Sequence, residues 1–285
     1  MHNFQIIALA VSGLSAFCGA RGIAQNYRAN HPLVDMKSGY LLGGSMQLGK
    51  NGQIGFEPPP SLARQTQRGV TYRIYSATKY LGQGRGSEAA GQNAPCPATY
   101  FVDVSPNKGA QSEFAISGNW NALPRVPRAL LSGRSISAQE LEYGESIRRI
   151  LVNRGIQNPV VRLSRPWIID LEGDGQDEVL LSATDKDGAW NSISANARAG
   201  QYSLIALRKI VKGKVQTIVL QGEFHPQAKK FSAPNFFRLA AVLDVDGDGK
   251  MEILTRGQYY EGGWTSVWSM RGDKVREVLS AGCGA

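Results

Sequence analysis

Two short stretches of the chain carry residues whose types and spacing can do chemistry together. Asp170, Glu172, Asp174, Gln176 and Glu178 stand at alternate positions in IIDLEGDGQDEVLL; Asp244, Asp246, Asp248, Lys250 and Glu252 do so in VLDVDGDGKMEILT. Carboxylates this close repel one another unless something positive sits among them. In a tight loop the side chains at positions one, three and five turn toward one centre. Position seven, Gln176 or Lys250, offers its backbone carbonyl, and the glutamate at position nine closes the shell. Gly175 and Gly249 permit the sharp turn. An all-oxygen shell rich in carboxylates suits Ca²⁺, with six to eight ligands at about 2.3–2.6 Å. Zinc would want His or Cys, and neither stands in these loops. Magnesium would keep more of its waters and need fewer protein ligands. An EF-hand is excluded, because position twelve is Leu181 in one loop and Thr255 in the other, and both flanks read as strands.

The elements around the loops repeat with them. Asp170 and Asp244 lie 74 residues apart, and each acidic loop joins two strand patterns that run into a hairpin. YSLIALRKIVKGKVQTIVL turns at Lys212-Gly213, and WTSVWSMRGDKVREVL turns at Arg271-Gly272-Asp273. From the first aspartate to the Lys-Val that opens the last strand is 44 residues in one copy and 30 in the other. The surplus fits Asp185 to Gly200 as a loop insertion. Further upstream, YFVDVSPNKG places Asp103 where a degenerate third copy would begin, but Lys108 replaces the glycine and the final carboxylate is missing, so the stretch reads as an ordinary strand and turn rather than a metal loop.

A strand-loop-strand with D-x-D-x-D-G-x-x-[DE] resembles the calcium loops of FG-GAP or VCBS-type repeats, found in integrin-like β-propellers and many secreted bacterial proteins. The resemblance covers roughly Val160 to Ala281. It implies a mainly β fold of propeller-like, antiparallel four-stranded meanders, with Ca²⁺ held by the ten loop positions named above. The chain lacks the Phe-Gly and Gly-Ala-Pro signatures, and Glu172 replaces the usual Asp or Asn.

One helix is expected. SAQELEYGESIRRILVNRG opens on Ser137 and Glu140, an S-x-x-E capping box. Leu141, Ile147, Ile150 and Leu151 form its apolar face, and Gly155 ends it, so that it spans about 137–154 and packs on a sheet. VTYRIY, with Val70, Tyr72 and Ile74 on one face, reads as a strand of an N-terminal β region. The organisation expected is a leader over residues 1–24, an N-terminal β region over 25–95, strands plus the helix over 96–159, and two loop repeats over 160–285.

The leader follows from the uncharged apolar run Phe4–Phe17 and the small residues after it, with cleavage after Ala20 or Ala24. A secreted or periplasmic protein with no stable membrane span after its removal is expected. Cleavage removes Cys18 and leaves one pair, Cys96 and Cys283, which should form a disulfide in an oxidising compartment. The formal charge of +9 suggests attraction to anionic surfaces, such as a glycan or another anionic component of the cell envelope. The basic residues are dispersed and not interleaved with aromatics, so no specific nucleic acid is expected.

Other motifs for chemistry are incomplete in this sequence. Gly44 to Lys50 has the spacing of a phosphate loop, but Asn51 replaces the magnesium-binding hydroxyl and NGQIGFEPPP cannot form the following helix. Only His31 and His225 remain as imidazole bases once the leader is gone. Trp264 and Trp268 point the same way on a strand, where exposure would let them stack on a sugar and burial would make them core. The sequence therefore reads as an exported, calcium-stabilised binding or structural module with no catalytic residues assigned. The alternative is a secreted hydrolase acting on polysaccharide, whose two acids need no proximity in sequence.

Overall fold

The computed structural model describes residues 30–48, 53–123, 125–128, 137–185 and 193–284. The expected leader lies outside them, and so do the side chains of Ser137 and Glu140.

Strands dominate. The repeat region folds into two antiparallel four-stranded meanders in simple chain order. The first consists of β10 (Trp167–Ile169), β11 (Glu178–Thr184), β12 (Gln201–Val211) and β13 (Lys214–His225). The second consists of β14 (Phe236–Leu243), β15 (Glu252–Tyr259), β16 (Gly262–Arg271) and β17 (Lys274–Cys283). In each, the acidic loop joins the first strand to the second. The β12–β13 hairpin closes on Lys212 and Gly213, both at positive φ (50° and 74°), as a two-residue turn between right-twisted strands requires. The surplus residues of the first copy lie between Thr184 and Gln201; Tyr260 and Glu261 alone make that link in the second.

The third sheet gathers seven strands in the order β3-β2-β1-β9-β4-β5-β8. These are β1 (Asn30–Asp35), β2 (Leu41–Leu48), β3 (Gln53–Glu57), β4 (Thr71–Tyr75), β5 (Tyr80–Gly86), β8 (Val104–Ser105) and β9 (Phe114–Ile116). It draws strands from both sides of residue 95. The stretch around Asp103 forms no meander of its own: β8 is an edge strand here, and β7 (Tyr100–Phe101) pairs with β6 (Ala90–Gly91) in a separate ribbon.

The sheets stack by their apolar faces. Ile205, Leu207 and Leu220 of the first meander meet Phe237, Val242, Ile253 and Met270 of the second. On its other face the second meander packs Leu243, Leu254, Val267 and Leu279 against Leu33, Leu42, Tyr75 and Phe114 of the seven-stranded sheet. A short helix, α1 (Pro59–Ala63), covers the far side of that sheet with Leu62 over Leu41, Tyr72 and Ile74. At the opposite end α2 (Ser137–Asn153) lays Tyr143, Ile147 and Leu151 on Leu181, Tyr202 and Leu204.

The expected four-stranded meanders are therefore present, but they do not close into a propeller. A helix covers the face of the first meander on which a further blade would have to pack. Gly155, at φ 87°, ends α2 as expected, with the Ile156 N–H donating to the Leu151 carbonyl (3.0 Å). Leu141 is not part of the apolar face: it is 78% exposed, and Tyr143 takes its place at the i, i+4, i+8 spacing with Ile147 and Leu151. Cys96 and Cys283 form the expected disulfide, which ties the last strand back to the loop after β6 across 187 residues of chain.

Candidate metal centre

The two acidic loops share one backbone design. The first aspartate accepts two or three main-chain N–H bonds. In the first loop Asp170 Oδ1 takes Gly173 and Asp174 (2.6 and 3.2 Å), and Oδ2 takes Gly175 (3.0 Å). In the second, Asp244 Oδ1 takes Gly247 (2.6 Å) and Oδ2 takes Gly249 (3.1 Å). Gly173, Gly175, Gly247 and Gly249 all have φ between 75° and 85°, the left-handed turns that bring those N–H groups inward. Asp174 and Asp248 cap the N–H groups of Gln176 and Lys250 (both 2.9 Å). The closing glutamates open β11 and β15 and reach back across the loop. Glu178 Oε2 accepts the Leu171 N–H (2.9 Å), and Glu252 Oε2 accepts that of Val245 (3.0 Å).

The loops lie side by side. The Met251 N–H donates to the Leu171 carbonyl (2.8 Å), and the Arg125 guanidinium bonds the carbonyls of Asp170 and Gly249 together. The second loop is the more enclosed of the two. Trp120 lies over Gly247 and donates Nε1–H to the Asp244 carbonyl (2.9 Å), while the Ser45 hydroxyl donates to the Val245 carbonyl (3.2 Å). A Cβ on Gly247 would stand 2.9 Å from the Trp120 ring, so the indole fits there only over glycine.

Enclosure separates the electrostatics of the two loops. Asp244, Asp246 and Glu252 bring one oxygen each within 4.8 Å of the others, all buried; among the described residues this is the one such convergence of potential ligands. Glu252 is fully buried, and its Oε1 has no hydrogen-bond partner. Burial and the neighbouring Asp246 push the Glu252 carboxyl up to about 9. Burial and Asp248 push Asp246 up to about 6, against the pull of Arg271. Asp244 is raised by burial despite its N–H donors. The Arg271 guanidinium, from the tip of the β16–β17 hairpin, bonds Asp246 (2.7 Å) and Asp248 (3.0 Å) and is, among the described residues, the single basic side chain ion-paired with this loop's acids.

The first loop has more positive charge at hand. Lys209 Nζ lies 2.6 Å from Glu172, and Arg125 lies 3.5 Å from Asp170. Burial works upward on Asp170, but its N–H donors and Arg125 outweigh it and hold the carboxyl below the ordinary range. Burial raises Glu178, opposed by the Leu171 N–H and by Lys209. The residues that sequence reasoning missed are these cations and Trp120. Arg271 stood in plain view in Arg-Gly-Asp, where turn composition concealed its use inside the fold.

The expected aromatic pair divides. Trp268 donates Nε1–H to Thr255 Oγ1 (3.1 Å) and packs between the two meanders with Ile253 and Met270. Trp264 lies edge-on to Phe237 and borders a cleft of about 420 Å³ at the β15–β16 tip, together with Tyr40, Tyr259, Gln258 and Arg238. Asp35 and Arg256 form its floor. Arg256 donates to both Asp35 oxygens (2.9 and 2.8 Å) and pairs with Glu113, and the Thr265 hydroxyl donates to Asp35 (2.6 Å). Comparison with protein-family models, curated proteins and solved structures finds no match to this chain.

Proposed function

We propose that this is an exported β-repeat protein, a binding or structural module whose second acidic loop holds Ca²⁺ and whose fold the ion stabilises. One observation carries the reading: three buried carboxylates converge, and one oxygen, Glu252 Oε1, has no partner. Four acids with one arginine lack positive charge, and every candidate ligand atom is oxygen, which favours calcium over zinc. The fit involves Asp244, Asp246, Asp248 and Glu252, with the Lys250 carbonyl in the role the FG-GAP-like reading gives it. The ion would brace the place where the second meander meets both the seven-stranded sheet, through Trp120 and Ser45, and the first loop.

The disulfide supports an oxidising, secreted or periplasmic setting. The ligand surface in this reading is the cleft beside Trp264, with a glycan or other anionic envelope component as partner. Asp35, the buried acid in its lining, is engaged by Arg256, which supports a binding site over a secreted polysaccharide hydrolase.

The test is thermal unfolding with and without calcium. Sites of this extracellular kind bind at roughly 10⁻⁴–10⁻³ M. Calcium at 100 times its Kd adds about 2.7 kcal/mol. A melting temperature several degrees higher in calcium than in chelator is expected, with Asp248→Ala losing the difference. Equal melting temperatures in calcium and chelator would refute the reading. For the cleft, Trp264→Ala should abolish binding to a glycan array or envelope fraction that the parent protein recognises.

A further inference from the structure

The loops have the same backbone and different neighbours. Val179 pairs with Arg208 in the first meander, and Ile253 pairs with Trp268 in the second. Lys209 and Ser269 therefore occupy the same place in the two repeats, beside Glu178 and Glu252. The hairpin ends agree, since Val211–Lys214 and Arg271–Lys274 are the matching closing pairs. Given the calcium reading of the second loop, on which this rests, we propose that Lys209 is the built-in cation of the first loop. The protein then takes one divalent cation, in the second loop, and none in the first.

The geometry points this way at each position. The Lys209 side chain is 4% exposed, and its ammonium is held by Glu172 Oε2 (2.6 Å) and the Gly272 carbonyl (3.0 Å). A buried ammonium with two fixed acceptors is costly to dislodge, because moving it strands both the charge and the carboxylate. Glu172 stands at position three, the place of Asp246. The extra methylene carries its carboxylate across to β12, so position three is spent on the ammonium and does not join Asp170 and Glu178 in a cluster. Arg125 adds a second positive charge at Asp170. Glu178 has no buried oxygen left without a partner, whereas Glu252 does.

In the second loop Ser269 supplies no charge, and its own hydroxyl is buried without a partner. Arg271 sits two residues further on, at the strand end. It engages the outer acids Asp246 and Asp248 and makes no bond to Glu252. The repeat thus carries two solutions to one electrostatic problem: a lysine from the third strand in one copy, a metal ion in the other.

Calcium stoichiometry by equilibrium dialysis on the full disulfide-bonded chain tests this. The parent protein should bind one ion, Asp246→Asn should bind none, and Asp174→Asn should still bind one. Lys209→Ser should bind two, and Ser269→Lys none, with a raised melting temperature in chelator. Two ions in the parent, one of them lost in Asp174→Asn, would overturn the lysine assignment and leave the calcium reading standing. No ion in the parent would overturn the calcium reading itself. Lys209→Ser that folds, by its circular dichroism, and still binds one ion would also overturn the assignment. If Lys209→Ser does not fold, Asp174→Asn in the parent background decides between the outcomes.

Discussion

One oxygen of Glu252 accepts the Val245 N–H and the other has no partner, so this side chain sets the charge balance of the second loop. Burial raises its folded pKa from the ordinary carboxylate value to about 9, which means the metal-free folded protein holds a proton that the unfolded chain releases. Stability is then fully present below the unfolded pKa and falls as pH rises toward 9. In chelator, the melting temperature should decline between pH 5 and pH 9. Glu252→Gln keeps the shape and removes the ionisation, so it should flatten that decline and abolish the calcium response; a variant with the parent's pH profile would contradict the account. The aspartates and glycines were legible because a turn's chemistry is local: Gly175 and Gly249 stand where a left-handed φ is needed. Their counter-charges were not. Arg271 comes from 25 residues beyond Asp246, and Lys209 from 37 beyond Glu172, and no local pattern ties a strand's basic residue to a distant loop.

Two elements couple the stack from end to end. Helix α2 is fixed to β12 by Ile147 and Leu151 in the apolar layer and by Arg208, which donates to Glu142 and Ser146. Ile147→Ala should cost about 2–5 kcal/mol in denaturant unfolding. Leu141→Ala should change stability by less than about 0.5 kcal/mol, because the side chain faces water. The sequence marked the helix and its end correctly but put Leu141 on the wrong face. Tyr143, with its polar tip, did not count as apolar, although its ring lies inside and takes the Arg208 guanidinium over it at 5.4 Å. At the other side of the second meander, Asp35 of β1 and Arg256 of β15 join sheets 221 residues apart in sequence. Asp35→Ala leaves a buried guanidinium short of its partner and should destabilise by about 3–5 kcal/mol. Leu at position 35 together with Met at 256 should recover much of that loss; a double variant no better than Asp35→Ala would mean the pair does more than match charge.

At the scale of the whole molecule, three sheets lie face on face with helices closing both ends. The meanders were legible because their strands follow chain order and each is bounded by a turn signal, as at Lys212-Gly213. The seven-stranded sheet was not, since β9 inserts between β1 and β4 and no spacing in the sequence announces a strand arriving from so far along the chain. Counting cysteines gave the Cys96–Cys283 bond without any knowledge of the stacking it locks. That bond closes a loop of 187 residues, so replacing both cysteines with serine should cost at most about 5 kcal/mol by the chain-entropy account. Denaturant unfolding of the double variant measures it, and an unchanged midpoint would place the constraint elsewhere. The loop proposed to hold calcium sits where the second meander, the seven-stranded sheet and the first loop meet, so occupancy by the ion should govern the cooperativity of the whole. The most direct measurement is an anomalous-scattering map from crystals grown with calcium and with a lanthanide substitute. The account predicts one strong peak at about 2.3–2.6 Å from oxygens of Asp244, Asp246 and Glu252, and none among Asp170, Glu172 and Asp174. No peak at the second loop, with Glu252 still buried beside Val245, would contradict it.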